Sequence, residues 1–209
     1  METRKKPRKI EAVVWDFDGV IHDSETFICD TANHLLLKHG LQEVSYEEFR
    51  NRQSNDLTFY RERGMTLTDS QFREFFYGFY ESSKCGLVEG VLHTLGLLCD
   101  QGICCAIVSA HRTVGVEQKL RELAITSFLS PVIGGAVHKS DAMREVCRML
   151  EVPPENALYV GDLRSDVSEA REAGLVSVLL APPDYPYRDE AQYHINCITE
   201  LLLLVGTSH

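Results

Sequence analysis

Apolar residues run unbroken from Val13 to Trp15, and two acids, Asp16 and Asp18, follow at once around Phe17. A short apolar run of this kind suits a strand buried on both faces of a parallel sheet, here residues 9–15. Beyond the acids the spacing turns helical. Ile28, Ala32, Leu35 and His39 recur at i, i+4, i+7 and i+11, and Gly40 closes that helix. Ser45 with Glu48, and Thr68 with Gln71, read as capping boxes that open two more helices. The second carries Phe72, Phe75, Phe76, Phe79 and Tyr80 on one face, an aromatic stripe expected to pack between helices rather than to stack on bases. Residues 23–86 show no strand signal.

From residue 87 onward, helical and strand patterns alternate. Strands are expected at 103–108, 132–133, 157–160 and 175–180, with an edge strand at 193–195. Helices are expected from Val91 to an end at Gly102, at 114–123 and 141–150, up to Gly174, and at 199–205. Pro182, Pro183 and Pro186 mark a loop. Strands and helices alternating through short links predict an α/β fold with a doubly wound parallel sheet. Its core would comprise residues 10–22 and 87–209. The helical unit 23–86 would be inserted after the first strand, and residues 1–9 would form a flexible basic tail.

Composition narrows the function classes. The chain has 209 residues, is 44% hydrophobic and 25% charged, and carries a net charge of −10. That suits a soluble globular protein with a real core and argues against a nucleic-acid surface, which needs clustered Lys and Arg. Arg4, Lys5, Lys6, Arg8 and Lys9 crowd the first ten residues against Glu2. This segment lacks the apolar stretch of a secretory signal and reads as a solvated tail. The seven cysteines include no C-x-x-C and are expected to be buried, reduced thiols of a cytoplasmic protein. The apolar run 201–205 is far too short to span a bilayer. With no evident interface, a monomer without membrane or nucleic-acid partners is expected.

The polar residues at strand ends carry the chemistry, because open α/β sheets bind ligands there. Asp16 and Asp18 leave the first strand pointing roughly the same way, and Gly19 lets the chain turn after them. Two carboxylates buried together need a cation or a shared proton. They suit a metal site with a nucleophile on one acid and proton transfer on the other. Later strands deliver Ser109, then Gly161-Asp162 with Asp166 four residues on, and Lys139 lies between. Taken singly, each has an ordinary explanation: an acidic turn, a helix cap, a solvated lysine, a surface acid. Four acids, a hydroxyl and a lysine at the ends of one sheet are poorly explained as independent accidents.

These motifs, Asp16-Phe17-Asp18-Gly19-Val20, Ser109, Lys139 and Gly161-Asp162-Leu163-Arg164-Ser165-Asp166, resemble in type and order those of the haloacid dehalogenase superfamily. The resemblance covers nearly all of residues 10–205. It points to the branch of phosphatases and phosphomutases that includes phosphoglycolate phosphatase and β-phosphoglucomutase, as do Asp23-Ser24-Glu25 and residues 170–174. It implies a Rossmann-like core with a mobile helical cap, hinged near residues 21–24 and 85–90. It also implies a Mg2+-dependent phosphatase acting on a small phosphorylated metabolite (phosphoglycolate, a sugar phosphate or a nucleotide) through an aspartyl-phosphate. Asp16 would be the nucleophile and Asp18 the acid and base. Asp16, Asp162 and the backbone carbonyl of Asp18 would hold Mg2+. Ser109 and Lys139 would bind phosphate, and Asp166 would orient a metal water or Lys139.

Two departures stand out. Ser140-Asp141 follows Lys139 where relatives often have proline, and Glu89-Gly90-Val91 replaces a usual Pro-Gly-Val. Arg50, Arg52, Gln53, Asn55 and Arg61 are candidate cap contacts, each equally readable as a solvated polar residue. His22 is a further candidate. A sugar phosphomutase using the same intermediate, and a non-catalytic binding protein on the same fold, stand as alternatives. A dehalogenase would leave Asp18 without a task.

Overall fold

The computed structural model describes residues 9–52, 57–80 and 84–206. Six strands, β1 (Ala12–Trp15), β2 (Cys104–Val108), β3 (Val132–Ile133), β4 (Ala157–Gly161), β5 (Val176–Leu180) and β6 (Tyr193–Ile195), form one sheet in the order β3-β2-β1-β4-β5-β6. Every neighbouring pair is parallel. All four residues of β1 are buried, as an unbroken apolar run in the sheet centre requires.

The alternation of side chains along β1 divides the core. Val13 and Trp15 pack with Val91, Leu95 and Leu98 of α5 (Val91–Asp100) and with Val116 and Leu120 of α6 (Thr113–Glu122). Ala12 and Val14 face the other way, toward Met143, Val146 and Cys147 of α7 (Lys139–Met149) and Ala170 and Ala173 of α8 (Arg164–Ala173). Helices thus cover both faces, and the doubly wound α/β reading holds. Trp15 is in register with Ile107 on one side and Val160 on the other. The three central strands therefore end within one residue of one another, delivering Asp16, Ser109 and Asp162.

The inserted residues form α1 (Glu25–Lys38), α2 (Tyr46–Arg50), α3 (Leu57–Arg61) and α4 (Asp69–Tyr80). They share a core of their own, built from Ile28, Ala32, Leu35, Leu36, Phe49, Phe59 and Tyr60 with Phe72 and Phe75 against it. Both predicted boxes cap their helices: Ser45 Oγ accepts from Glu48 N, and Thr68 Oγ1 from Gln71 N. Phe72 packs on Tyr60 with ring centroids 4.9 Å apart, as expected of a helix-packing stripe. The side chains of Phe76, Phe79 and Tyr80, like the tail 1–8 and the candidates Gln53 and Asn55, lie outside the described residues.

The two chain connections to this unit run side by side. Val88 N donates to Ile21 O at 3.0 Å and Asp23 N to Gly86 O at 3.0 Å, with a bridge between His22 and Leu87.

Some boundaries move. β1 begins at Ala12 rather than residue 9. α7 begins two residues early, at Lys139. The expected last helix splits into a 3₁₀ turn, Ile198–Leu201, and α9 (Leu202–Val205). The cysteines are all free, but only Cys29, Cys105 and Cys147 are buried. Cys99, Cys104 and Cys197 are exposed, because apolar neighbours in sequence do not place a residue on the inward face. No described helix is long and apolar enough to cross a membrane.

Candidate active site

The turn after β1 is built from its own backbone. Ile21 N and His22 N both donate to Phe17 O, and Gly19 N donates to His22 O. Gly19 takes φ +75°, and a Cβ there would stand 2.5 Å from Asp162 Oδ2. Glycine is required on both counts, and its absence of a side chain is what lets the Asp162 carboxylate approach β1. Gly161 plays the same part for Asp166, whose Cβ would lie 2.3 Å from an added methyl group.

Six predicted residues, Asp16, Asp18, Ser109, Lys139, Asp162 and Asp166, line one cleft at the carboxyl ends of the strands. At its floor Lys139 Nζ lies 2.8 Å from Asp16 Oδ2 and 2.7 Å from Asp166 Oδ1. Phe17 N donates to the other oxygen, Asp16 Oδ1, at 2.8 Å. Leu163 N donates to Asp166 Oδ2 at 3.1 Å, which fixes Asp166 at the start of α8. Carboxylate oxygens of Asp16, Asp162 and Asp166 all lie within 4.8 Å of one another.

Three acids around one ammonium are electrostatically unbalanced. Burial pushes the Asp16 carboxyl up to about 7; Lys139 opposes the shift, and the charges of Asp166 and Asp18 add to it. Asp162 is raised well above the usual carboxylate range, by burial first and then by Asp166 and Asp16. Burial disfavours the Lys139 ammonium, but its two carboxylate partners outweigh this and hold it charged well above the ordinary lysine range. The site as built therefore favours further positive charge. Its donors are hard oxygens, the set that suits a small divalent cation rather than a soft metal.

Asp18 is placed differently. Its side chain is not one of the three grouped carboxylates; it accepts from Ser24 Oγ at 2.7 Å, with His22 Nδ1 at 3.4 Å. As a metal ligand it was expected to serve through its backbone carbonyl, so the cluster of side chains takes in Asp166 where that set named Asp18. Ser109 Oγ accepts from His111 N at 3.1 Å, and Ala136 N donates to Ser109 O at 3.1 Å, tying the ends of β2 and β3 together.

Of the other candidates, Arg52 reaches the cleft. Arg50 pairs instead with Asp184 at 2.9 Å, and Arg61 with Asp69 at 3.0 Å. His22 is not a cleft residue: it is fully buried and stacked on Phe17 at 5.3 Å, because the tight turn folds it under the loop. Sequence reasoning gave no site role to Glu25, Glu169, Tyr159 and Tyr185. Glu25 and Glu169 line the cleft. Tyr159 Oη lies 3.4 Å from Asp166 Oδ1, beneath Lys139. Tyr185 bridges the two units, donating to Arg52 O at 2.9 Å and accepting from Arg164 N at 3.1 Å. Glu25 belongs to the Asp23-Ser24-Glu25 motif already singled out, whereas the others carry no local pattern.

A family model described as haloacid dehalogenase-like hydrolase matches residues 13–180. The chain is 28% identical over 183 residues to a phosphoglycolate phosphatase of Pseudomonas putida, covering 79% of this chain and 67% of that protein. It is 26% identical over 176 residues to a phosphoglycolate phosphatase of Synechococcus elongatus, covering 81% and 82%. Among solved structures, a haloacid dehalogenase-like hydrolase, SP0104 from Streptococcus pneumoniae, superposes with a TM-score of 0.80 at 18% identity, covering 94% of this chain and 99% of that one. That likeness concerns the fold. The expected HAD-like phosphomonoester hydrolase is borne out by the sequence relatives. With four-fifths of its length matched by the family model, the chain belongs to the haloacid dehalogenase-like hydrolases, in the branch of phosphoglycolate phosphatase relatives.

Proposed function

We propose that this protein is a Mg2+-dependent phosphatase of a small phosphorylated metabolite, acting as a cytoplasmic monomer through an aspartyl-phosphate. The observation that carries the reading is the pairing of Lys139 with both Asp16 and Asp166 beside Asp162. Asp16 presents one oxygen to Lys139 while the Phe17 amide holds the other. It attacks phosphorus, forming the bond to the carboxylate oxygen as the bond to the leaving oxygen breaks. Asp18 gives a proton to that leaving oxygen, then accepts one from the water that cleaves the aspartyl-phosphate. Lys139 and Ser109 bind the phosphoryl oxygens, where charge develops. Asp166 and Tyr159 position Lys139.

Asp16, Asp162 and the Asp18 carbonyl would hold the cation. When bound, it offsets the repulsion between the nucleophile and the phosphate dianion. The raised Asp16 and Asp162 carboxyls support such a site.

We read residues 23–86 as a cap hinged on the paired connections at 21–24 and 85–90, excluding water when closed. The cleft, about 170 Å³, suits a short substrate.

The test is phosphate release from a panel of phosphorylated metabolites, with and without Mg2+, for wild type and Asp16→Asn. Metal-dependent release by wild type, lost in the variant, is expected. Release that survives Asp16→Asn would sink the covalent mechanism. Isomerised product without free phosphate would favour a mutase.

A further inference from the structure

We infer that Thr113 is a positioning residue for the phosphate site: its hydroxyl clasps the loop that leads to Lys139 onto the loop that carries Ser109. The inference rests on the phosphatase reading above. Four hydrogen bonds zip residues 109–113, after β2, to residues 133–136, at and after the end of β3. Ser109 N donates to Ile133 O at 3.0 Å, Gly135 N to His111 O at 2.6 Å, and Ala136 N to Ser109 O at 3.1 Å. These three join backbone to backbone. The fourth runs from Gly134 N to Thr113 Oγ1 at 2.9 Å, and it alone depends on the side chain at position 113.

The two loops approach more closely than any residue but glycine permits. A Cβ on Gly134 would stand 2.4 Å from His111 O and 2.4 Å from Thr113 N, backbone atoms that cannot swing aside. Thr113 is the first residue of α6, and its hydroxyl reaches across to the neighbouring loop. The loop is thereby gripped at the residue that follows β3. Beyond the grip, Ala136 and Val137 line the cleft, and Lys139 reaches Asp16 at 2.8 Å and Asp166 at 2.7 Å. Ser109 lines the cleft from the other loop. Thr113 touches neither the cleft nor the reacting groups. It acts through the spacing of Ser109 and Lys139, the two groups that receive phosphoryl oxygens. A misplacement of about 1 Å in such groups can cost about 100-fold in rate.

The experiment compares Thr113→Val, which matches the shape without the hydroxyl, with Thr113→Ser, which keeps it. Binding of inorganic phosphate with Mg2+ present, followed by 31P NMR titration, should weaken about fivefold or more in Thr113→Val, the scale of one lost hydrogen bond. Binding of Mg2+ alone, measured by calorimetry, should stay within about twofold of wild type, because that site shares no partner with Thr113. Thr113→Ser should bind phosphate as wild type does. In turnover, Thr113→Val should raise KM as well as lower kcat, whereas a partly unfolded enzyme lowers kcat alone. Unchanged phosphate binding in Thr113→Val overturns the inference. So does an equal loss of phosphate and Mg2+ affinity, which marks general destabilisation, or a loss in Thr113→Ser as large as that in Thr113→Val, which removes the hydroxyl as the cause. A wild type that binds no phosphate leaves nothing to position, and the inference fails. If phosphate binding depends on Thr113 but wild type releases phosphate from no metabolite, the phosphatase reading falls and the clasp stands.

Discussion

The backbone amide of Ser140 donates to the Glu169 carboxylate at 2.7 Å, joining the first turn of α7 to the middle of α8. A proline at this position, as the family resemblance leads one to expect, would have no amide hydrogen to give. The departure thus creates a contact, and that contact sits one residue from Lys139. Glu169→Ala is expected to lower kcat/KM about tenfold by loosening the Lys139 turn. In a Ser140→Pro background the same change should cost far less, since the bond is already gone. Additive losses in this double-mutant cycle would show that Glu169 does not act through Ser140.

Asp18 and Ser24 are joined at 2.7 Å, so the proposed acid and base is tethered at the mouth of the inserted unit. Asp18→Asn keeps that acceptor but cannot exchange the proton. Phosphate release should fall by about 10²–10⁴-fold, in line with loss of a general acid. Rapid-quench kinetics should show loss of the chemical step while substrate binding survives. A kcat within threefold of wild type would remove Asp18 from the mechanism.

Gly19 and Gly40 both have left-handed backbones, at φ +75° and +71°, but only Gly19 has a neighbour at the Cβ position. Both alanine variants pay about 1 kcal/mol of strain. Gly19→Ala must also push the Asp162 carboxylate aside, so its Mg2+ affinity by calorimetry should drop about tenfold or more. Gly40→Ala should bind as wild type does. Equal affinities in the two variants would mean that Asp162 does not hold the metal.

The Asp16 carboxyl, pushed up to about 7 by burial, makes metal-free stability depend on pH. The folded protein keeps a proton that the unfolded chain releases near the ordinary value of 3.8. Between about pH 4 and pH 7 the folded state binds more protons, so stability falls as pH rises through that window. A cation must displace that proton. The Mg2+-induced rise in Tm should therefore be larger at pH 8 than at pH 5.5. A smaller rise at pH 8 would contradict the placement of Asp16 in the metal site.

Tyr185 and Arg52 test how firmly the helical unit is held. Tyr185→Phe leaves Arg52 O and Arg164 N without their shared partner. Burying such groups unpaired costs about 1–3 kcal/mol, or about 2–12 °C in Tm for a chain of this size. An unchanged melting temperature would show that the bridge is not a stabilising contact.

Local pattern carried much of this molecule. The run Val13–Val14–Trp15 predicted a buried central strand, the alternation after residue 87 predicted the doubly wound sheet, and Gly19 marked the turn. These features depend on period, propensity and short-range sterics, all of which are written within a few residues. The convergence of Asp16, Ser109, Lys139, Asp162 and Asp166 followed because strands of a parallel sheet present their carboxyl ends at one edge. The sequence by itself therefore determined the elements, their alternation and the set of polar groups at the strand ends.

Only the tertiary structure decided which oxygen faces which cation. Sheet order and register bring Lys139 between Asp16 and Asp166, and place Gly161 against Asp166. Helix docking brings Glu169 to Ser140, and the packing of the two units brings Tyr185 to Arg52. The tight turn after β1, by contrast, itself brings Asp18 to Ser24 and folds His22 out of the cleft. Lys139 and Asp166 stand 27 positions apart, Ser140 and Glu169 29, and Arg52 and Tyr185 133. No local periodicity encodes them, because each is fixed by the burial and hydrogen bonding of the whole assembled core.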